Sequence, residues 1–144
     1  MVKRGFTLME VLLSMAMIII IVGTTIPIYQ SFQSRSDLDV AVVTVAQSLR
    51  RAQSLAQSSS GDSAWGVYVQ TANVTIFKGT NYSGHDATYD EVADMPNSVN
   101  PSTSTQIIFN KFSGMPVATG TITLISNVSS TRILTINSKG TVNY

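Results

Sequence analysis

Cysteine is absent from this 144-residue sequence, histidine occurs once, and charged residues make up only 12% of the chain. The absence of cysteine excludes a disulfide scaffold, thiolate zinc sites and cysteine nucleophiles. The single histidine, His85, excludes sites built from several imidazoles. Because the charged fraction is about half the usual globular share and the net charge is only +1, neither a disordered chain nor a basic polyanion-binding protein is expected. The length predicts one ordinary domain.

One long apolar run stands out at the amino-terminal end. No charged residue occurs from Val11 to Ser34, and the centre of this stretch is Met17–Val22. The 23 residues Phe6–Ile28 would form about 34 Å of helix, which matches a bilayer hydrocarbon core of about 30 Å. The rest of the chain is too polar to surround a buried helix of this length. The run therefore predicts a membrane-spanning helix.

The charges that flank this run predict its orientation. Lys3 and Arg4 precede it, whereas the first charge after it is Arg35, followed closely by two aspartates. The positive-inside rule places the amino terminus in the cytoplasm and the larger part of the chain outside. A cleavable secretory signal is the alternative, but it has a shorter apolar region and a small-x-small site. Ile26–Gln30 offers no such site, so we expect a single-pass protein of the inner membrane.

Glu10 is the anomaly of the predicted span. A carboxylate one turn inside such a helix costs on the order of 2 to 3 kcal/mol by insertion scales. One interpretation is that Glu10 lies near the lipid headgroups and extends towards water. The other is that a cation from a second molecule pairs with it.

The segment Lys3–Val11 resembles the class III signal of type IV pilins and pseudopilins. It has basic residues, then Gly-Phe-Thr-Leu, then a glutamate, then an uninterrupted apolar run. The resemblance implies that a prepilin peptidase cuts after Gly5 and methylates the new terminus at Phe6. It also implies that Glu10, fifth in the processed chain, neutralises the terminal amine of a neighbouring subunit. Pro27 falls where family members often carry a helix-kinking proline.

The same resemblance implies a set of partners and a role. The partners are the prepilin peptidase, other pilin or pseudopilin subunits, an inner-membrane assembly platform and membrane lipid. The processed subunit would polymerise through its retained apolar helix. A glycine at position 5 would let the peptidase approach the backbone closely.

An amphipathic helix is predicted after the apolar run. Its apolar residues recur at spacings of four, three, four, three and four, which places them on one stripe. They are Leu38, Val42, Val45, Leu49, Ala52 and Ala56. The turn formers Ser58–Asp62 predict its end. A single bent rod over 6–58 would extend roughly 80 Å, softened at Gly23 and Pro27; the polar region Ser31–Asp37 could instead interrupt it.

Short segments rich in aromatic and β-branched residues predict six antiparallel strands after Gly61. They are Trp65–Val69, Val74–Phe77, Gln106–Phe109, Gly120–Ile125, Arg132–Ile136 and Thr141–Tyr144. The predicted fold class is α+β, with a long N-terminal helix packed on one antiparallel β-sheet in a pilin-like layout. The predicted organisation is a leader (1–5), a transmembrane and filament-core helix (6–28), its amphipathic continuation (29–60) and a β-rich head (61–144).

Features of the head narrow the resemblance to a subgroup. Leu49–Gln53 leading to Trp65–Tyr68, with Phe109, Gly114 and Gly140 near the end of the chain, is similar to the H type of minor pseudopilins and to FimT-like minor pilins. The expected function is a structural subunit of a type II secretion pseudopilus or a type IV pilus. A single-span anchored binding domain that never polymerises is the rival.

The segment Asn81–Thr105 lacks hydrophobic periodicity and is predicted to be a surface excursion. Its acidic residues are Asp86, Asp90, Glu91 and Asp94. Oxygen-rich loops can hold calcium, but this spacing fits no EF-hand, and a solvated acidic loop is the favoured interpretation. No nucleophile motif accompanies His85, so we expect no enzymatic activity and no metal or cofactor.

DNA is the remaining candidate partner, because FimT-like relatives take part in DNA uptake. The residues proposed for such contacts are Lys78, Lys111, Arg132 and Lys139. DNA binding usually draws on a concentrated basic face. The external domain has as many acidic as basic residues, so only clustering in space would create such a face.

Overall fold

A single helix of 50 residues, α1, occupies Leu8–Gln57 of the computed structural model. The structure describes residues 5–144, without the side chains of 24–28 and 31. The predicted signal residues Lys3 and Arg4 lie outside the described residues. The helix continues through the polar region 31–37, so the predicted alternative of a break there is wrong. Contacts divide the chain into a unit up to Gln33 and a second unit, Ser34–Tyr144.

The apolar stripe predicted for the second part of α1 is confirmed. Leu38, Val42, Val45, Leu49, Ala52 and Ala56 are each at most 4% exposed. Their spacing of three and four residues keeps them on one side of the helix, where they join the core formed with the strands. The helix ends where the turn formers predict, because Ser59 adopts a left-handed conformation (φ 53°) that cannot continue it.

The strands form two antiparallel sheets in the described residues rather than one. The first sheet contains β1 (Trp65–Gln70), β2 (Asn73–Lys78), β3 (Glu91–Asp94) and β5 (Thr105–Phe109), in the order β3-β2-β1-β5. The second contains β4 (Val99–Pro101), β6 (Gly120–Ser126), β7 (Thr131–Ile136) and β8 (Val142–Asn143), in the order β4-β6-β7-β8. The predicted α+β class is thus confirmed, and the single sheet is corrected to two.

The prediction that the segment Asn81–Thr105 is an irregular excursion is wrong, because the segment contains two strands, β3 and β4. Both are short edge strands of four and three residues. The first pairs with β2 and carries acidic residues at both ends, and the second ends in Pro101. Charge and proline are typical of sheet edges. Because of these residues, neither strand has the alternation of apolar and polar residues that was used to predict strands, so both were missed.

Candidate functional site

The amino-terminal part of α1 exposes apolar side chains on every face. Over Leu8–Val22 the only polar residues are Glu10 and Ser14, and the large apolar side chains are 43% to 79% exposed. The five consecutive residues Ile18–Val22 cover more than one helical turn. Monomeric soluble proteins rarely expose an apolar surface of this extent, which normally marks a membrane or protein contact.

Within the described residues, no helical stretch has both the length and the apolarity required to cross a bilayer. The predicted span Phe6–Ile28 includes 24–28, whose side chains lie outside the described residues. The kink predicted at Pro27 falls on the same residues.

A threonine begins the helix directly before the apolar surface. Thr7 Oγ1 accepts a hydrogen bond from the Glu10 backbone N–H at 3.3 Å, and the Thr7 carbonyl accepts from the same N–H at 3.1 Å. Thr7 and Glu10 therefore occupy the first and last positions of an S/T-x-x-E helix-start pattern. Sequence reasoning assigned Glu10 but missed Thr7, which this four-residue signature would have identified.

The carboxylate of Glu10 is exposed and has no hydrogen-bond or ion-pair partner among the described residues. Its backbone carbonyl accepts from Ser14 Oγ at 2.7 Å. The main chain at this position is thus satisfied inside the helix, whereas the acidic group is available to a cation outside the described part of the chain.

Gly5 and Phe6 precede the first helical residue and are both exposed. A Cβ added at Gly5 would meet no atom within 4 Å. The fold therefore does not itself require glycine at this position. The Gly5–Phe6 peptide bond is accessible in a non-helical segment, which is the kind of substrate that a peptidase accepts.

Three of the four candidate DNA contacts lie near the C-terminal end of α1. Lys111 Nζ pairs with the Asp62 carboxylate just after the helix. The hydrogen bond and charge of Lys111, with a smaller effect of Lys78, lower the pKa of Asp62. The Lys139 carbonyl accepts from Gln53 Nε2 at 3.2 Å. These lysines are thus close to the same end of the second unit.

Arg132 lies apart from these lysines. Its Nη2 donates to Asp39 Oδ1 at 3.1 Å. Asp39 and Gln53 are 14 residues apart on α1, which corresponds to about 21 Å along the helix axis. The four candidate contacts therefore form two groups, and Arg132 already shares its charge with a carboxylate.

His85 is enclosed by two oxygen acceptors in the loop that follows β2. Its Nδ1 lies 2.5 Å from the Tyr82 carbonyl oxygen, and its Nε2 lies 2.9 Å from Asp90 Oδ2. Only the protonated ring can donate to both acceptors. The hydrogen bond with Asp90, followed by that with Tyr82, raises the pKa of His85 against the effect of burial.

Two of the other acidic side chains of the segment Asn81–Thr105 also have local structural partners. Asp86 Oδ1 accepts from the Thr88 N–H at 3.0 Å and caps the short turn Ala87–Tyr89. Glu91 Oε1 lies 3.1 Å from Arg51 Nη2 on α1. Across the part of the chain that the structure describes, no three His, Cys, Asp or Glu side chains converge as metal ligands would.

Comparison of the chain with protein-family models, with curated proteins and with solved structures finds no match.

Proposed function

We propose that this protein is a structural subunit, a minor pseudopilin or minor pilin, of a type II secretion pseudopilus or a type IV pilus. Before assembly the Phe6–Ile28 helix holds it in the inner membrane, with the amino terminus in the cytoplasm. After assembly the same helix forms the filament core, and the α+β head faces outwards in a pilin-like arrangement. The observation that carries the proposal is the apolar surface over Leu8–Val22, exposed on every face of the helix.

Processing by a prepilin peptidase is the first step of this proposal. The enzyme cuts the exposed peptide bond after Gly5 and methylates the new amine of Phe6. Five residues are lost and the apolar helix is retained, in contrast to secretory processing, which removes the hydrophobic segment. A Cβ added at Gly5 would meet no atom within 4 Å. The glycine is therefore not needed for packing within the chain, which supports a role in the close approach of the peptidase.

Glu10 supplies the register between subunits. A charged amine and a charged carboxylate are each costly in an apolar bundle, and pairing offsets much of that cost. Subunits staggered so that the Phe6 amine of one meets the Glu10 carboxylate of another satisfy both charges. A shifted register leaves both unpaired, so the pair selects one stacking of the helices.

Expression of the full chain together with a pilus or pseudopilus assembly system tests the proposal. Filaments are sheared from the cells, and the subunit is detected in the sheared fraction and in the membrane fraction. A filament subunit enters the sheared fraction only when the assembly platform is present. Retention in the membrane under both conditions would favour the rival, a single-span anchored binding domain.

DNA binding receives no added support from the separation of Arg132 from the three lysines.

A further inference from the structure

A preformed pocket lies where the β6–β7 turn meets α1. Ser34, a residue only 5% exposed, donates from its Oγ to Asn127 Oδ1 at 3.1 Å and links the turn to the helix. Within the turn, the Ser126 N–H donates to the Ser130 carbonyl at 2.9 Å, and Ser129 adopts a left-handed conformation (φ 61°). The turn and the helix are thus held together independently of the pocket's own side chains.

The pocket has a volume of about 420 Å³ and a lining rich in hydrogen-bond donors. It is lined by Arg35, Leu38, Ser129, Ser130, Thr131 and Arg132. Two arginines and three hydroxyl-bearing residues therefore line one cavity together with the buried Leu38.

Most of the arginine N–H donors of the residues that line this pocket have no acceptor among the described residues. Arg35 is exposed and makes no ion pair there. Arg132 uses one of its five N–H donors on Asp39. Arg132 lines both this cavity and the neighbouring one, whereas Asp39 lines only the neighbouring one. Of the two arginines that line the pocket, Arg132 is paired with a carboxylate and Arg35 is not paired among the described residues.

We propose that this pocket binds a phosphate oxyanion. Guanidinium groups bind phosphate through paired, charge-assisted N–H···O bonds, and hydroxyl groups donate to the remaining oxygens. The volume exceeds that of a phosphate group and leaves room for the substituents of a phosphodiester. The phosphate can come from a phospholipid headgroup or from the free anion.

The proposal that the phosphate belongs to a lipid headgroup depends on the proposed function, whereas the pocket itself does not. Arg35 follows the end of the proposed span at Ile28 by seven residues. Headgroup layers are about 5 to 8 Å thick on each side of the hydrocarbon core. An arginine side chain can extend towards such a layer while its aliphatic part covers apolar surface.

Nuclear magnetic resonance of the full chain in non-ionic detergent micelles tests the proposal. The probes are inorganic phosphate, with chloride of equal ionic strength as the reference, and micelles containing either phosphatidylglycerol or diacylglycerol, which lacks phosphate. The backbone amides of Ser129–Thr131 and the side-chain Nε–H groups of Arg35 and Arg132 are expected to shift saturably with phosphate. The same signals are expected to shift with phosphatidylglycerol and not with diacylglycerol if the source is lipid.

Arginine variants separate binding in the pocket from general charge attraction. We expect Arg35→Gln and Arg132→Gln each to weaken the phosphate response about fivefold or more. Arg50→Gln is the matched control, because Arg50 is an exposed arginine on the same helix that does not line the pocket. Since Arg35 makes no ion pair among the described residues, its replacement removes no intramolecular salt bridge from the fold.

A response to inorganic phosphate alone supports the pocket with a free-anion source, and a response to phosphatidylglycerol but not diacylglycerol supports the headgroup source. The absence of saturable shifts with both probes overturns the proposal. Shifts that both pocket variants leave unchanged overturn it as well. Failure of the filament proposal would not affect these measurements, since they require neither cleavage nor polymerisation.

Discussion

Gly66 lies directly opposite Phe77 in the antiparallel pair of β1 and β2, and the Phe77 ring occupies the space that a side chain at position 66 would need. Phe77 is fully buried, but it lies on the opposite face of the strand from Ile76 and does not belong to the core cluster that Ile76 forms with α1. The loop after β2 covers it, since Tyr82 and His85 lie against its ring at centroid distances of 5.4 and 5.5 Å. Because Gly66 has no side chain, the Phe77 ring can pack with Tyr82 and His85 in a second, smaller layer on this face of the sheet.

Gly66→Ala should therefore destabilise the head. The added methyl group would collide with the Phe77 ring, and overpacking of this kind costs about 1 to 3 kcal/mol. Urea unfolding followed by the fluorescence of Trp65, the only tryptophan, measures the change. The double variant Gly66→Ala/Phe77→Leu should recover part of the loss. An unchanged midpoint for the single variant would contradict the packing described.

The loop after β2 should loosen as pH rises through the pKa of His85. The Asp90 carboxylate and the Tyr82 carbonyl favour the charged ring and raise its pKa, with a smaller contribution from Asp86. Stability from this raised pKa is fully present below the unfolded value of about 6.5 and is lost as pH rises through the higher folded value.

The His85 prediction is checked by titrating the imidazole ring signals and by amide hydrogen exchange over 81–90, corrected for the intrinsic pH dependence. We expect a folded pKa above that of an unfolded peptide, and Asp90→Asn should lower it. A pKa equal to the unfolded value, or a value insensitive to Asp90→Asn, would show that the two acceptors do not hold the protonated ring.

Gly5→Val should block processing without affecting the fold. Gly5 needs no special backbone conformation, and its Cβ would meet nothing in the chain, so any effect must arise in the approach of the peptidase. Electrophoresis in the presence of the prepilin peptidase checks this. Gly23→Ala is the control, because a Cβ there also meets no atom within 4 Å. A band of mature size from Gly5→Val would refute the cleavage assignment.

Glu10→Val should allow cleavage but impair assembly. The variant removes the only carboxylate of the apolar surface over Leu8–Val22. In the proposed filament this would leave the Phe6 amine of the neighbouring subunit unpaired in the bundle. The quantity to measure is the ratio of subunit in sheared filaments to subunit in the membrane fraction. A ratio equal to that of the unaltered chain would exclude the proposed register role of Glu10.

Local periodicity was sufficient to predict much of the fold. The buried stripe from Leu38 to Ala56 follows from apolar residues spaced three and four apart, a pattern sustained over five turns of helix. All six predicted strands are present, with each bound within one residue of the prediction. The division into two sheets was not, because β1 pairs with β5 across more than 30 residues of chain.

The local environments of the candidate residues depended on contacts that no short pattern encodes. The enclosure of His85 by Asp90 and Tyr82 results from the conformation of the whole loop. The pocket between Arg35 and Arg132 joins positions nearly 100 residues apart in the chain. By contrast, Thr7 was recognisable from its spacing to Glu10 alone.

The proposed function requires a mature chain that begins at Phe6 and keeps the apolar helix. Mass spectrometry of the amino-terminal peptide, from full chain produced with a prepilin peptidase, tests it most directly. The expected peptide begins with N-methylated Phe6, followed by Thr7-Leu8-Met9-Glu10. An amino terminus at Met1, or a mature chain that begins beyond Ile28, would contradict it.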